Sequence, residues 1–315
     1  MKTPITPLYG LTIALLTSAA LLPHAEAITI AHGGDSVDIE FVDIGNVGNT
    51  GDTANTVNGA NPGVVNYEYS IGTYEVTSDQ WAAVAGFDAL VENNSNDPWT
   101  GSQPTANASW YEAAKFANWL TSGDARQGAY TFTVDGTTFT GVDRDTALTT
   151  FGTIYVLPTE DEWYKAAYLK SDGSGYTTYA TGNSTPDGID FAGDTDYDSV
   201  YRDASGFNNG APLSVGGGTE ENNGTYDMGG NVFEWSESAF SGGEPTGGED
   251  RVLRGGFWNF NSNTLQSFYR NANYPGLVDT DIGFRVASVS VVPEPSSVGL
   301  LVIGAMGCML RRKRG

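Results

Sequence analysis

The stretch Tyr226-Asp-Met-Gly-Gly-Asn-Val-Phe-Glu-Trp235 decides how this chain folds. Its paired glycines permit close backbone approach, and alternate positions between Asp227 and Glu234 can turn their oxygens toward one point. Calcium takes about six to eight hard oxygen ligands, many of them backbone carbonyls, so a carboxylate-bearing loop of this kind suits it. A glycine-rich turn around a buried Glu234 satisfied by backbone amides is the other reading. Two later stretches, Arg251-Val-Leu-Arg-Gly-Gly-Phe-Trp258 and Asp281-Ile-Gly-Phe-Arg285, complete the signature. Their Arg254 and Arg285 read as buried, planar cations tied to carboxylates or carbonyls.

These three stretches, with Ile71-Gly-Thr-Tyr-Glu-Val-Thr77 and Leu157-Pro-Thr-Glu-Asp-Glu-Trp163, resemble the formylglycine-generating-enzyme (sulfatase-modifying-factor) family. The resemblance implies an α+β domain related to the C-type lectins, with few regular elements and long loops. It also implies a structural calcium held by the side chains of Asp227 and Glu234 and the carbonyls of Gly230 and Val232. Enzymes of the family oxidise a sulfatase cysteine with copper held by two cysteines. The matching positions here are Phe260 and Leu265. Copper(I) needs soft thiolate donors, and neither side chain supplies one, so copper is not expected. Phe257 also stands where the family has serine, and Phe233 where it has tryptophan.

The composition excludes more chemistry. The only cysteine is Cys308 and the only histidines are His24 and His32, so the body of the chain lacks both residue types. That removes histidine metal sites, Cys-His or Ser-His dyads and disulfide staples. Lys2 followed by the apolar stretch Leu8 to Leu22 and the small-x-small Ala25-Glu26-Ala27 read as a signal peptide over residues 1–27. At the other end, Val291-Val-Pro-Glu-Pro295, the apolar run Val298 to Leu310 and Arg311-Arg-Lys-Arg314 resemble a PEP-CTERM sorting tail over 291–315. An apolar segment stopped by cations stays in the membrane with its basic end inside, which leaves the domain outside. The run is short for a full span at ~1.5 Å per residue and suits a transient anchor handled by an exosortase. Without Lys2, Glu26, Glu294 and the four terminal cations, 10 basic residues face 36 acidic ones, a net charge of −26. Such a field repels nucleic acid and attracts cations.

Residues 28–66 read as an N-terminal strand and a Gly/Asn-rich lead-in, with the domain starting near 37 and the family-like body over 67–289. The alternating Val37 to Ile44 reads as an edge strand. Capping boxes at Thr77/Gln80, Ser109/Glu112 and Thr159/Glu162 announce three helices. In the third, the cap role accounts for Glu162. Tyr130 to Phe139 alternates about Asp135-Gly136 and reads as a tight hairpin. Residues 171–223 carry Asp172, Asp187, Asp190, Asp194, Asp196, Asp198 and Asp203 with little apolar periodicity, a long irregular region that needs something to order it.

The expectation is therefore an exported cell-surface or matrix pseudoenzyme that binds a polysaccharide or protein. Trp258, Asn259, Tyr269 and Tyr274 are the candidate ligand surface, by ring stacking and amide hydrogen bonds. The rival reading is a formylglycine-generating oxidase.

Overall fold

The computed structural model describes residues 25–92, 96–182, 184–202, 205–207, 210–243 and 245–291. Most of the expected signal peptide and of the sorting tail, with Asp203 and Cys308, lie outside the described residues.

Among the described residues, four α-helices and eleven strands form: α1 Ser78–Phe87, α2 Trp110–Ser122, α3 Arg144–Phe151 and α4 Glu160–Tyr168, with β1 Glu26–His32, β2 Asp35–Ile44, β3 Tyr69–Gly72, β4 Tyr130–Phe132, β5 Phe139–Val142, β6 Thr153–Val156, β7 Phe233–Ala239, β8 Arg251–Arg254, β9 Asn271–Asn273, β10 Ile282–Gly283 and β11 Ala287–Ser290. They form a five-stranded sheet in the order β1-β2-β3-β11-β6, a four-stranded sheet β10-β7-β8-β9 and the ribbon β4-β5. Among these named strands, β10 and β7 pair parallel and the other pairs are antiparallel. The last strand, β11, closes the first sheet between β3 and β6, so the chain leaves the domain from a sheet interior.

All three capping boxes form, each with side chain and backbone bonds made in both directions. α2 ends where Gly123 takes a left-handed conformation, φ 80°, and returns its N–H to Trp119. This helix is buried almost all round, including its polar position Asn118. That amide is satisfied by Ala125 O at 3.0 Å, Tyr130 O at 2.7 Å and Tyr130 N at 3.1 Å, which ties α2 to the loop and strand that follow. Trp110, Trp119, Trp163 and Trp235 are all essentially inaccessible and anchor one continuous core.

The 130–142 ribbon is the expected hairpin: β4 and β5 pair antiparallel about a turn closed by Gly136 N on Thr133 O at 2.7 Å, and the Asp135 carboxylate accepts from Thr133 Oγ1 at 2.6 Å and Thr137 Oγ1 at 2.9 Å. Two local expectations change. β2 is interior, because β1 pairs along its outer side from Glu26↔Phe41 to His32↔Asp35. A fourth helix, α3, starts at an Asp143 cap whose side chain accepts from Thr146 N. Among the described residues, 171–223 form no named strand or helix, only isolated bridges such as Ile189↔Arg202.

Candidate functional site

The loop 226–234 is wound tightly. Asp227 (φ 61°) and Asn231 (φ 56°) are left-handed although neither is glycine, and Gly230 has φ 108°. A Cβ at Gly230 would stand 2.5 Å from Val200 O, so only glycine fits there. The Asn231 amide accepts from Leu213 N at 2.9 Å and donates to Glu75 Oε2 at 2.8 Å, which pulls two distant segments onto the loop.

Glu234, inaccessible to solvent, is met by Arg285 in a two-pronged pair: Nε to Oε2 and Nη2 to Oε1, both 2.7 Å. Trp163 Nε1 adds a bond at 2.9 Å. Side chains satisfy Glu234, therefore, where the alternative reading had backbone amides. The remaining Arg285 donors reach Gly72 O, Thr73 O and Tyr226 O, so this one guanidinium joins the end of β3 to the loop.

Three more carboxylates lie buried in the same electrostatic neighbourhood. Glu75 accepts from Asn231 and Val232, Glu221 from Thr225 Oγ1 and the amides of Met228 and Gly229, and Asp227 from Gly216 N at 2.7 Å. Burial pushes all three upward, Glu221 to about 8 and Asp227 to about 7, while Glu75 rises well above the carboxylate range. Among the described residues no three His, Cys, Asp or Glu side chains converge as a metal-holding group.

A second buried charge cluster surrounds the start of α4. Arg254 Nη2 meets Glu160 Oε1 at 2.5 Å, and Arg270 grips the same carboxylate at 2.7 Å through both Nε and Nη2. Arg144 bridges Glu162 and Glu237, each at 2.9 Å. Glu162 does accept from Thr159 N at 2.6 Å as a cap, but it also receives Arg144 and the Tyr67 hydroxyl. Its cap role is thus only part of its work.

Beyond the left-handed Gly255 and Gly256, the chain enters an aromatic cluster. Phe257 sits 5.4 Å from Phe233, 6.0 Å from Trp258 and 4.7 Å from Phe260, and Phe233 stacks on Tyr269 at 6.3 Å. Phe260 keeps 42% of its surface exposed, whereas Leu265 keeps 1% and packs with Tyr179 and Tyr201. Asn261 caps the 3₁₀ turn Ser262–Leu265, so its carbonyl oxygen is already used. Trp258 meets Trp99 edge-on at 6.5 Å. Its N–H faces Asp281 without reaching hydrogen-bond geometry and lowers that carboxyl, but burial first and the Asp279 charge second outweigh it and hold Asp281 up at about 6. Of the four expected surface residues, Trp258 and Tyr269 are joined through these rings, and Asn259 lies half-buried next to Trp258. Tyr274 stands outside that run of contacts, 55% exposed just past β9, its ring packed over Gly276.

Known proteins share this architecture. The model of the sulfatase-modifying factor enzyme 1-like domain matches residues 16–289, and the PEP-CTERM protein-sorting motif matches 291–314. The motif marks an exported bacterial protein handled by exosortase-based sorting. Among the described residues no helix is long and apolar enough to cross a membrane. The chaperone protein LppX of Paenibacillus barcinonensis is 27% identical over 240 residues, covering 70% of this chain and 79% of that one. The inactive C-alpha-formylglycine-generating enzyme 2 of Mus musculus is 29% identical over 143 residues, 44% of either chain. In the same way, only 12% of the Chlamydia caviae serine/threonine-protein kinase pkn1 is matched. Treponema denticola variable protein 1 superposes with a TM-score of 0.57 at 24% identity, over 84% of this chain and 99% of that one, and so shares the fold. On the strength of the family match across most of its length, the chain belongs to the sulfatase-modifying factor enzyme 1-like domain family.

Proposed function

We propose that this exported protein is a non-catalytic binding module whose aromatic face, built on Trp258, Phe260 and Tyr269 with Asn259 at its edge, holds a polysaccharide outside the cell. The observation that carries the reading is the fate of the two positions where the family resemblance places copper-binding cysteines. Leu265 fills an apolar nest with Tyr179 and Tyr201, and Phe260 packs on Phe257 with its outer part exposed. No thiolate stands at either place, and Phe and Leu give copper(I) no donor. Flat rings exposed beside amide groups suit the apolar faces and hydroxyl edges of sugars. Tyr274, being apart from this cluster, would serve only a ligand long enough to reach it.

A structural calcium belongs to the same proposal. The negative charge left buried after Arg285 has paired with Glu234 suits a hard cation, and since no three carboxylates converge there among the described residues, backbone carbonyls would complete the donor set. Asp227, the carbonyls of Gly230 and Val232, and the lone pair of Glu234 Oε1 not taken by Arg285 would hold it. When bound, it would supply positive charge to the loop; the chain's own residues position the loop around it.

The test is a pair of assays on the intact chain. A Cys-x-Pro-x-Arg peptide with copper and oxygen should yield no formylglycine by mass spectrometry, and extracellular polysaccharide from the producing cells should retain the protein on a column. Phe260→Ser should weaken retention with a stability change below about 1 kcal/mol, since the side chain is half exposed. Peptide turnover would overturn the non-catalytic reading.

A further inference from the structure

A cleft of about 170 Å³ opens between the start of α1 and the segment before α2, lined by Ser78, Asp79, Trp81, Asp97, Trp99 and Thr105. Two polar atoms in its lining residues, Ser78 Oγ and Trp81 Nε1, are buried without a hydrogen-bond partner. Trp81 is only 3% exposed and cannot turn away: its ring stacks on Phe116 at 5.6 Å and meets Phe284 edge-on at 5.9 Å. A buried N–H left unsatisfied costs about 1–3 kcal/mol, so its persistence beside a cleft points to a partner brought from outside.

The lining selects that partner. Asp97 is held in place by Trp99 N at 3.1 Å and Ala106 N at 2.9 Å, with Thr105 Oγ1 at 3.4 Å. Burial pushes its carboxyl upward, so further donors would stabilise the ionised form. An anion is excluded by Asp79 and Asp97, and also because the first amides of α1 are already spent: Ser78 N on Gln103 O at 2.9 Å and Asp79 N on Gly101 O at 3.0 Å. An ammonium group would suit the carboxylates but offers the Trp81 N–H no acceptor. A hydroxyl does both, accepting from the indole and donating to the carboxylate. The volume, equivalent to about six waters, fits one sugar ring and not a chain of them.

We infer that this cleft is a subsite for a single neutral sugar residue, with Trp81 Nε1 and Ser78 Oγ bonding its hydroxyls, Asp97 accepting from them and the Trp99 ring against its face. The inference rests on the polysaccharide reading of the aromatic face, and Trp99 joins the two. Its indole N–H is fixed on Thr280 O at 2.8 Å, and its ring meets Trp258 at 6.5 Å with an interplanar angle of 83°. A terminal or branching sugar in the cleft would thus leave the rest of the glycan leading toward Trp258.

Methyl glycosides of glucose, galactose, mannose and N-acetylglucosamine, titrated into the intact chain and followed by calorimetry and saturation-transfer NMR, test this. At least one should bind, and Trp81→Phe, which keeps an aromatic ring but removes the N–H, should weaken it by about tenfold while the melting temperature shows the variant folded. Asp97→Asn should weaken it as well. Binding of a glycoside with equal strength by Trp81→Phe would overturn the assignment. Retention on polysaccharide without binding of any glycoside would overturn the cleft and leave the aromatic face standing. Glycoside binding sensitive to Trp81 without polysaccharide retention would support the cleft and overturn the face. Failure of both assays would overturn both.

Discussion

Two buried charge clusters hold this molecule together, and they are balanced differently. Around the start of α4, three arginines face three glutamates: Arg144 with Glu162 and Glu237, and Arg254 and Arg270 with Glu160. Beneath the 226–234 loop one arginine, Arg285, faces four carboxylates, Glu75, Glu221, Asp227 and Glu234. In the first, burial pushes Glu162 up but Arg144 pulls it below its ordinary value, while at Glu237, which shares that arginine, burial still prevails. In the second, burial wins at every carboxylate whose shift is resolved. A charge buried without a partner costs several kcal/mol, so the excess must be met by protons or by a cation. The α4 cluster is a structural clamp, whereas the Arg285 cluster is where pH, and the calcium proposed above, would act on the stability of the fold.

Arg285→Met should break that contrast most severely. It removes the cation paired with Glu234 from a buried site with four acids and frees three carbonyls, at a cost of about 3–5 kcal/mol or more. The urea midpoint of any soluble fraction measures it; a variant as stable as the parent would mean the carboxylates need no counter-charge. Next in size is calcium. After chelation, adding calcium to about 100 times its dissociation constant should stabilise the fold by ~2.7 kcal/mol, read as a higher melting temperature. Glu75→Gln should shrink that gain, whereas Thr149→Ala, on the exposed side of α3, should not. An unchanged melting temperature would remove calcium from this site.

The sequence revealed the parts that depend on a few neighbouring residues. Each capping box is a four-residue device, and Thr77, Ser109 and Thr159 all form one. The irregularity of 171–223 was equally legible, since it needs only the absence of a period. What stayed hidden depends on distant partners. Nothing near Glu237 announces Arg144, 93 positions away, and nothing in Val37 to Ile44 announces that β1 covers its outer edge. α3 escaped because Thr146, Thr149 and Thr150 are poor helix formers, and only the Asp143 cap could have signalled it. The candidate site divides the same way. Trp258 and Tyr269 come together through Phe233 and Phe257, but the separation of Tyr274 and the adjacency of Trp99 are tertiary facts.

The finest test of the contrast is the pH dependence carried by Glu221. Its folded value of about 8 lies above the ordinary value of a glutamate in an unfolded chain, near ~4.3. Its contribution is therefore fully present below about pH 4.3 and is lost as pH rises through about 8, so chelated protein should weaken across that window. Glu221→Gln cannot ionise, but its amide must stand where one carboxylate oxygen now accepts either Gly229 N or the Thr225 and Met228 donors. That mismatch should cost about 1 kcal/mol at pH 5, where the native acid is protonated. By pH 8.5 the native side chain is charged and the deficit should close or reverse. Urea unfolding at the two pH values in chelator measures the crossing, and calcium should abolish it by stabilising the charged form. Parallel profiles for the two proteins would show that Glu221 ionises freely, and would place the excess charge on Glu75 and Asp227 alone.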